Sequence, residues 1–159
     1  MYRFEGALRD TLHEFKYNGM RVLAHPLGYL LGRHLDQHPV PVDTIIPVPL
    51  HARRLRSRGY NQSALLARDL GGASGKPVVM RSLVRQRETA PQVSLGPAAR
   101  RANVQDAFVC INDALQARDV LLVDDVCTTG ATLEACAVAL HEVGAKSVRA
   151  LTLARAIAV

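Results

Sequence analysis

The stretch Val120-Leu-Leu-Val-Asp-Asp-Val-Cys-Thr-Thr-Gly-Ala-Thr-Leu133, VLLVDDVCTTGATL, decides the reading of this chain. Four consecutive apolar residues, Val120 to Val123, predict a strand buried on both faces, as in a parallel sheet. Asp124 and Asp125 stand at its carboxyl end, which is where open parallel sheets place their ligands. Two adjacent carboxylates there are costly unless they meet hydroxyls, cations or hydrogen-bond donors. Cys127 to Thr132 then leads into a helix, whose free N-terminal amides and three threonine hydroxyls make a pocket for an anion. Gly130 lets the backbone turn closely around the bound group. A ligand with vicinal hydroxyls at one end and a phosphate at the other satisfies both halves, which describes a ribose 5-phosphate. The plainer alternative is a capped strand-to-helix loop with a surface acid pair, but that needs one threonine and one acid rather than the whole array.

Working outward, Leu133, Cys136, Ala137 and Leu140 give the following helix one apolar stripe ending at Gly144, and Ser147 to Leu153 reads as another strand. Strand, tight loop, helix and strand make a βαβ unit, so the expected fold is α/β with a central, mainly parallel sheet flanked by helices. Upstream, Phe4, Leu8, Leu12 and Phe15 recur at helical spacing and Asn18-Gly19 closes that helix; Pro26 suits the first turn of a second, with Leu27, Leu30, Leu31 and Leu35 buried. TIIPVP at 44–49 reads as a short buried strand ending at its second proline. Asn61 or Ser63 can cap a helix that runs to about Leu70 and stops at Gly71-Gly72, and Val78 to Met80 is compatible with a strand. Residues 85–106 show little periodicity and read as a long loop, a length that usually serves function.

With 159 residues the chain is one domain's worth. It contains no apolar run of the roughly 20 residues that a membrane-spanning helix needs. The amphipathic, acid-containing N-terminus lacks the centre of a secretion signal. Three cysteines (Cys110, Cys127, Cys136) form no CxxC pair and, being odd in number, no disulfide framework. The expectation is a cytoplasmic protein with no membrane insertion. Residues 51–101 hold eleven arginines and lysines against Asp69 and Glu88, whereas the whole chain carries only +6. Such a basic middle suits an anion, a polyphosphate or a nucleic-acid backbone, or is simply a solvated face. GGASGKP at 71–77 imitates a phosphate-binding Walker loop, but its glycines are one residue too close and Pro77 replaces the metal-binding hydroxyl. It also follows a helix where a strand is required.

The segment 120–133 resembles the phosphoribosyl pyrophosphate (PRPP) motif of type I phosphoribosyltransferases. From about residue 40 onward the chain resembles their ComF/GntX-like, competence-associated branch. That narrower match rests on PVPLHARRLRSRGYNQ at 47–62 together with Arg87, Thr89, Gln92, Arg100, Asn103, Ala107 and Phe108. The resemblance implies a small N-terminal helical hood over residues 1–40 and a phosphoribosyltransferase-type domain over 41–159. It implies that Asp124 and Asp125 hold the ribose hydroxyls, directly or through Mg²⁺-bound water, and that Thr128, Thr129, Gly130, Ala131 and Thr132 cradle the 5-phosphate. His51, Arg54 and Arg58 would serve the pyrophosphate, and Arg87, Arg100 and Arg101 would belong to a flexible loop closing over it.

Guanidinium forks do bind phosphate oxygens bidentately. Arg53, Arg54, Arg56 and Arg58 cannot all point one way, however, and Arg54 and Arg58, at i and i+4, share a face if the segment is helical. His51 is either a phosphate donor or a solvated loop residue. Tyr60-Asn61-Gln62 either orients the loop or begins the next helix, and Cys127 reads as a small side chain in a tight turn. Relatives often begin with a four-cysteine zinc ribbon, for which nothing before Cys110 supplies ligands. The implied activity is Mg²⁺-dependent transfer of ribose 5-phosphate from PRPP to an unknown acceptor, linked to DNA uptake in natural competence. The alternative is a catalytically weak module that binds single-stranded DNA or a protein of the competence machinery.

Overall fold

The computed structural model of the protein describes residues 2–88, 104 and 106–156. Strands β1 (Tyr2–Arg3), β2 (Thr44–Pro47), β5 (Asp119–Cys127) and β6 (Ser147–Arg155) form one sheet in the order β1-β6-β5-β2. All three pairings in it are parallel. Val78 bridges Ile45 on the free side of β2, so the expected strand at 78–80 is reduced to one parallel bridge. A second sheet pairs β3 (Leu83–Arg85) with β4 (Phe108–Cys110) in antiparallel sense. These two strands close the ends of the stretch read as loop; of that loop's proposed members, Arg87 is described and Arg100 and Arg101 lie outside the described residues.

Helices cover both faces, and strand periodicity sorts the core between them. Ile45, Leu121, Val123, Leu151 and Leu153 pack with Leu12 and Phe15 of α1 (Gly6–Tyr17), Leu27 and Leu31 of α2 (Ala24–Gln37), and Leu66 and Leu70 of α4 (Gln62–Ser74). Ile46, Val120 and Leu122 pack on the other side with Leu83, Phe108, and Cys136 and Leu140 of α5 (Ala131–Glu142). The N-terminal helices therefore share the main core, and β1 lengthens the main sheet.

One helix end differs from the sequence expectation. The helix predicted to stop at Gly71-Gly72 continues to Ser74 and ends at Gly75, whose φ is +67°. Gly71 answers a packing need instead: a β-carbon there would lie 2.3 Å from Val78 Cγ2. Residues 71–74 are thus helical, which disposes of the Walker imitation. The segment at 52–58, open to helix or turn from sequence, is α3 (Ala52–Arg58), a short helix that follows β2 and ends at left-handed Gly59.

Candidate functional site

At the carboxyl end of the sheet lies a cleft of about 1110 Å³, lined by Asp124, Asp125, Thr128, Thr132, Arg54, Arg58, Arg85, Lys16 and others from α1, α4 and the segment just after β2. Strand β5 runs two residues past the acids, to Cys127, before the chain turns. Asp125 is buried and Asp124 half-buried. Different elements hold the two carboxylates. Ser63 Oγ, in the first turn of α4, donates to Asp124 Oδ1 at 2.7 Å. Lys16 Nζ, near the end of α1, lies 2.9 Å from Asp125 Oδ1. Burial, then the neighbouring charge of Asp125, raises the Asp124 pKa from 3.8 to about 7, while the Ser63 hydrogen bond and the Lys16 charge oppose that rise.

Beyond the acids, Thr128, Thr129 and Gly130 form the turn into α5. Gly130 occupies the capping position in left-handed conformation, φ +85°, and supplies no side chain to take the helix's first amides. Thr129 Oγ1 accepts from the Ala131 amide at 3.4 Å. Thr128, Gly130, Ala131 and Thr132 line a small recess of about 30 Å³ against Asp124. The short span 124–132 thus delivers both the acids and an N-terminal helix pocket suited to an anion.

Arg54 and Arg58 both face the cleft from α3. Arg58 Nη1 donates to Gln62 Oε1 at 2.7 Å and the guanidinium stacks over Tyr17, 5.2 Å from the ring centre. Arg53 turns outward and meets Glu88 at 3.3 Å, and Arg56 is exposed. His51 takes a structural place: its Nδ1 accepts from the Arg53 amide at 3.4 Å and caps α3, and it is absent from the cleft wall. Arg87 is exposed and stands outside the cleft wall. Asn61 caps α4 through Ser63's amide. Tyr60 is buried and donates from its hydroxyl to the Phe15 carbonyl, tying α4's entrance to α1.

Sequence reasoning missed three cleft residues: Lys16, Ser63 as a carboxylate partner, and Arg85. Arg85 stacks over Phe108, 5.3 Å from the ring centre; burial and then Arg54 push its pKa down. The basic segment carried a weak signal for Arg85. Lys16 had none, because one lysine on the polar side of an amphipathic helix is ordinary. Among the described residues no group of three or more His, Cys, Asp and Glu side chains is placed to hold a metal ion by itself.

A parallel α/β sheet with paired acids at a strand exit and a threonine–glycine helix cradle is a phosphoribosyltransferase-type domain. Residues 66–158 match the phosphoribosyl transferase domain, and the chain belongs to that family, in its competence-associated branch. It is 37 % identical over 157 residues to competence protein F of Haemophilus influenzae, covering 94 % of this chain and 68 % of that one. It is 34 % identical over 150 residues to DNA utilization protein YhgH of Salmonella typhi, covering 91 % and 65 %. The chain therefore spans about two thirds of the length of these relatives. The purine phosphoribosyltransferase of Pyrococcus horikoshii has the same fold, with a TM-score of 0.50 at 20 % identity over 82 % of this chain and 70 % of that one.

Proposed function

We propose that the cleft binds PRPP and that the protein transfers its ribose 5-phosphate to an acceptor, releasing pyrophosphate. One observation carries this reading: the acid pair, Thr128, Thr132 and Arg54 line a single cleft large enough for a phosphorylated sugar, with Gly130 and Ala131 in a recess beside Asp124. Asp124 and Asp125 would accept from the ribose hydroxyls, and the first-turn amides of α5 would hold the 5-phosphate. Arg54 and Arg58, with Arg85 beside them, would face the pyrophosphate. In the reaction the C1–oxygen bond to pyrophosphate breaks, the acceptor bonds to C1, and the acceptor gives up a proton. The sugar passes through an oxocarbenium-like state, so the protein's work is to fix the ribose and stabilise charge on the leaving group.

The acid pair also suits Mg²⁺. Hard carboxylate oxygens fit an ion that keeps several waters and takes its other ligands from substrate phosphates. Bound there, Mg²⁺ would supply charge neutralisation at the pyrophosphate. The family and the names of its competence and DNA-utilization relatives support a role in DNA uptake. A second reading, a module that binds single-stranded DNA, is favoured by the outward placement of Arg53 and Arg56. It is weakened by Tyr60, whose buried ring cannot stack a base.

The test is a melting curve run beside a pyrophosphate-release assay with PRPP, Mg²⁺ and a panel of bases. A ligand at one hundred times its Kd stabilises by about 2.7 kcal/mol, which is roughly 5–10 °C for a chain of this size. The parent should show that shift, and the Asp124→Ala, Asp125→Ala double variant should fold and show none. A double variant that responds like the parent would refute the ribose assignment. Binding without turnover of any base would leave a binding module.

A further inference from the structure

Lys16 stands at the centre of the site yet belongs to no part of the strand-and-loop motif. Its ammonium meets Asp125 at 2.9 Å, with the aspartate side chain 8 % and the lysine side chain 24 % exposed. Three contacts fix the helical turn that carries it. Tyr60 Oη donates to the Phe15 carbonyl, Gln62 Nε2 donates to the carbonyl of Lys16 itself at 3.4 Å, and Arg58 stacks over Tyr17. The lysine is therefore offered to Asp125 from a backbone already held in place. Its side chain is itself largely buried, so packing already limits the rotamer freedom whose loss usually cancels a surface ion pair.

A site for a phosphorylated sugar meets an electrostatic difficulty in its own acids. Two adjacent carboxylates orient hydroxyls well but repel a polyanion. Ser63 gives Asp124 a hydrogen bond and no charge, whereas Lys16 brings a full positive charge to Asp125. Within a half-buried cleft that charge is poorly screened. An ammonium has three donors, so the bond to Asp125 leaves it others to present to a ligand.

We propose that Lys16 is a positioning residue of the sugar site: it fixes the Asp125 carboxylate to accept from a ribose hydroxyl and cancels negative charge that would repel the ligand's phosphate. This rests on the PRPP reading above. It is tested by measuring Kd for ribose 5-phosphate and, separately, for inorganic pyrophosphate, at fixed Mg²⁺ and salt. The proteins are the parent, Lys16→Met, Lys16→Arg, Asp125→Asn and the Lys16→Met, Asp125→Asn double variant.

Removing one partner of a desolvated charge pair strands the other, so Lys16→Met should weaken ribose 5-phosphate by about tenfold or more. Pyrophosphate should change by less than about threefold, and Lys16→Arg should recover most of the loss. If Lys16 acts through Asp125, the double variant should be no worse than the weaker single variant. Parental affinity in Lys16→Met overturns the proposal, and so do fully additive losses. Parallel loss of both ligands and of melting temperature in Lys16→Met and Lys16→Arg makes the lysine a structural strut and overturns it too. A parent that binds pyrophosphate but neither ribose 5-phosphate nor PRPP overturns the sugar-site reading itself, which is a different pattern.

Discussion

Asp124 illustrates what a single position can demand. Its pKa stands near 7 against an ordinary 3.8, raised by burial and by Asp125 beside it. Between those two values the folded protein holds a proton that the unfolded chain has released. The unfolded state then binds fewer protons, so stability falls as pH rises through this window and levels off above about 7. Asn should relieve the cost at high pH while keeping an oxygen for Ser63 Oγ and for the Asp125 amide. Asp124→Asn is expected to be more stable than the parent at pH 8, by on the order of 1–3 kcal/mol, with the advantage vanishing near pH 4. Denaturant melts at several pH values would show it, and curves that run parallel from pH 4 to 8 would dismiss the raised pKa. The sequence made Asp124, Asp125 and the threonines legible because they are contiguous and their spacing alone places them. Ser63 and Lys16 come from other helices and carry no local pattern that points at an acid.

Among the elements, α4 shows why a glycine pair can mislead. On propensity Gly71-Gly72 reads as a stop, yet the helix passes through both. The two glycines should answer oppositely to substitution. Gly71→Ala would drive a methyl into Val78 and the Lys76 carbonyl, 2.3 and 3.0 Å from its position, and should cost about 1–3 kcal/mol. Gly72→Ala meets nothing within 4 Å and should stabilise by roughly 0.5–1 kcal/mol. Equal effects in denaturant melts would show that propensity rather than packing governs this turn. The ribbon of β3 and β4 was illegible for a related reason. Each strand has three residues, too few for periodicity, and they pair across more than twenty intervening positions. Short α3 was open in the same way, and His51 caps it by accepting from the Arg53 amide.

For the whole molecule, the described arginines of α3 and β3 divide by direction. Arg54, Arg58 and Arg85 face the cleft, and Arg53 and Arg56 face outward. If the outer face carries single-stranded DNA, affinity should fall steeply with salt, because each neutralised phosphate releases counterion. Replacing Arg53 and Arg56 should then flatten the log–log slope by up to about 1.4, at about 0.7 per phosphate, with PRPP binding unchanged. Fluorescence titrations at several salt concentrations read this directly. Parallel loss of both ligands in variants of all four α3 arginines would place DNA in the same cleft. Absence of DNA binding at low salt would leave the PRPP reading alone.

The sequence by itself determined the parallel sheet, the βαβ unit and the acid–threonine motif. Each rests on residues near one another in the chain, where strand and helix periods and helix-end chemistry act directly. It also offered a shared side for Arg54 and Arg58, conditional on a helix there, since four-residue spacing aligns them on any helix. Only the tertiary structure decided that α1 walls the cleft, that Lys16 meets Asp125 and Ser63 meets Asp124, and that Gly71 exists for Val78. These depend on how layers pack across the sheet. A buried charge accepts whichever partner the packing brings to it, and no period in the sequence records which that is.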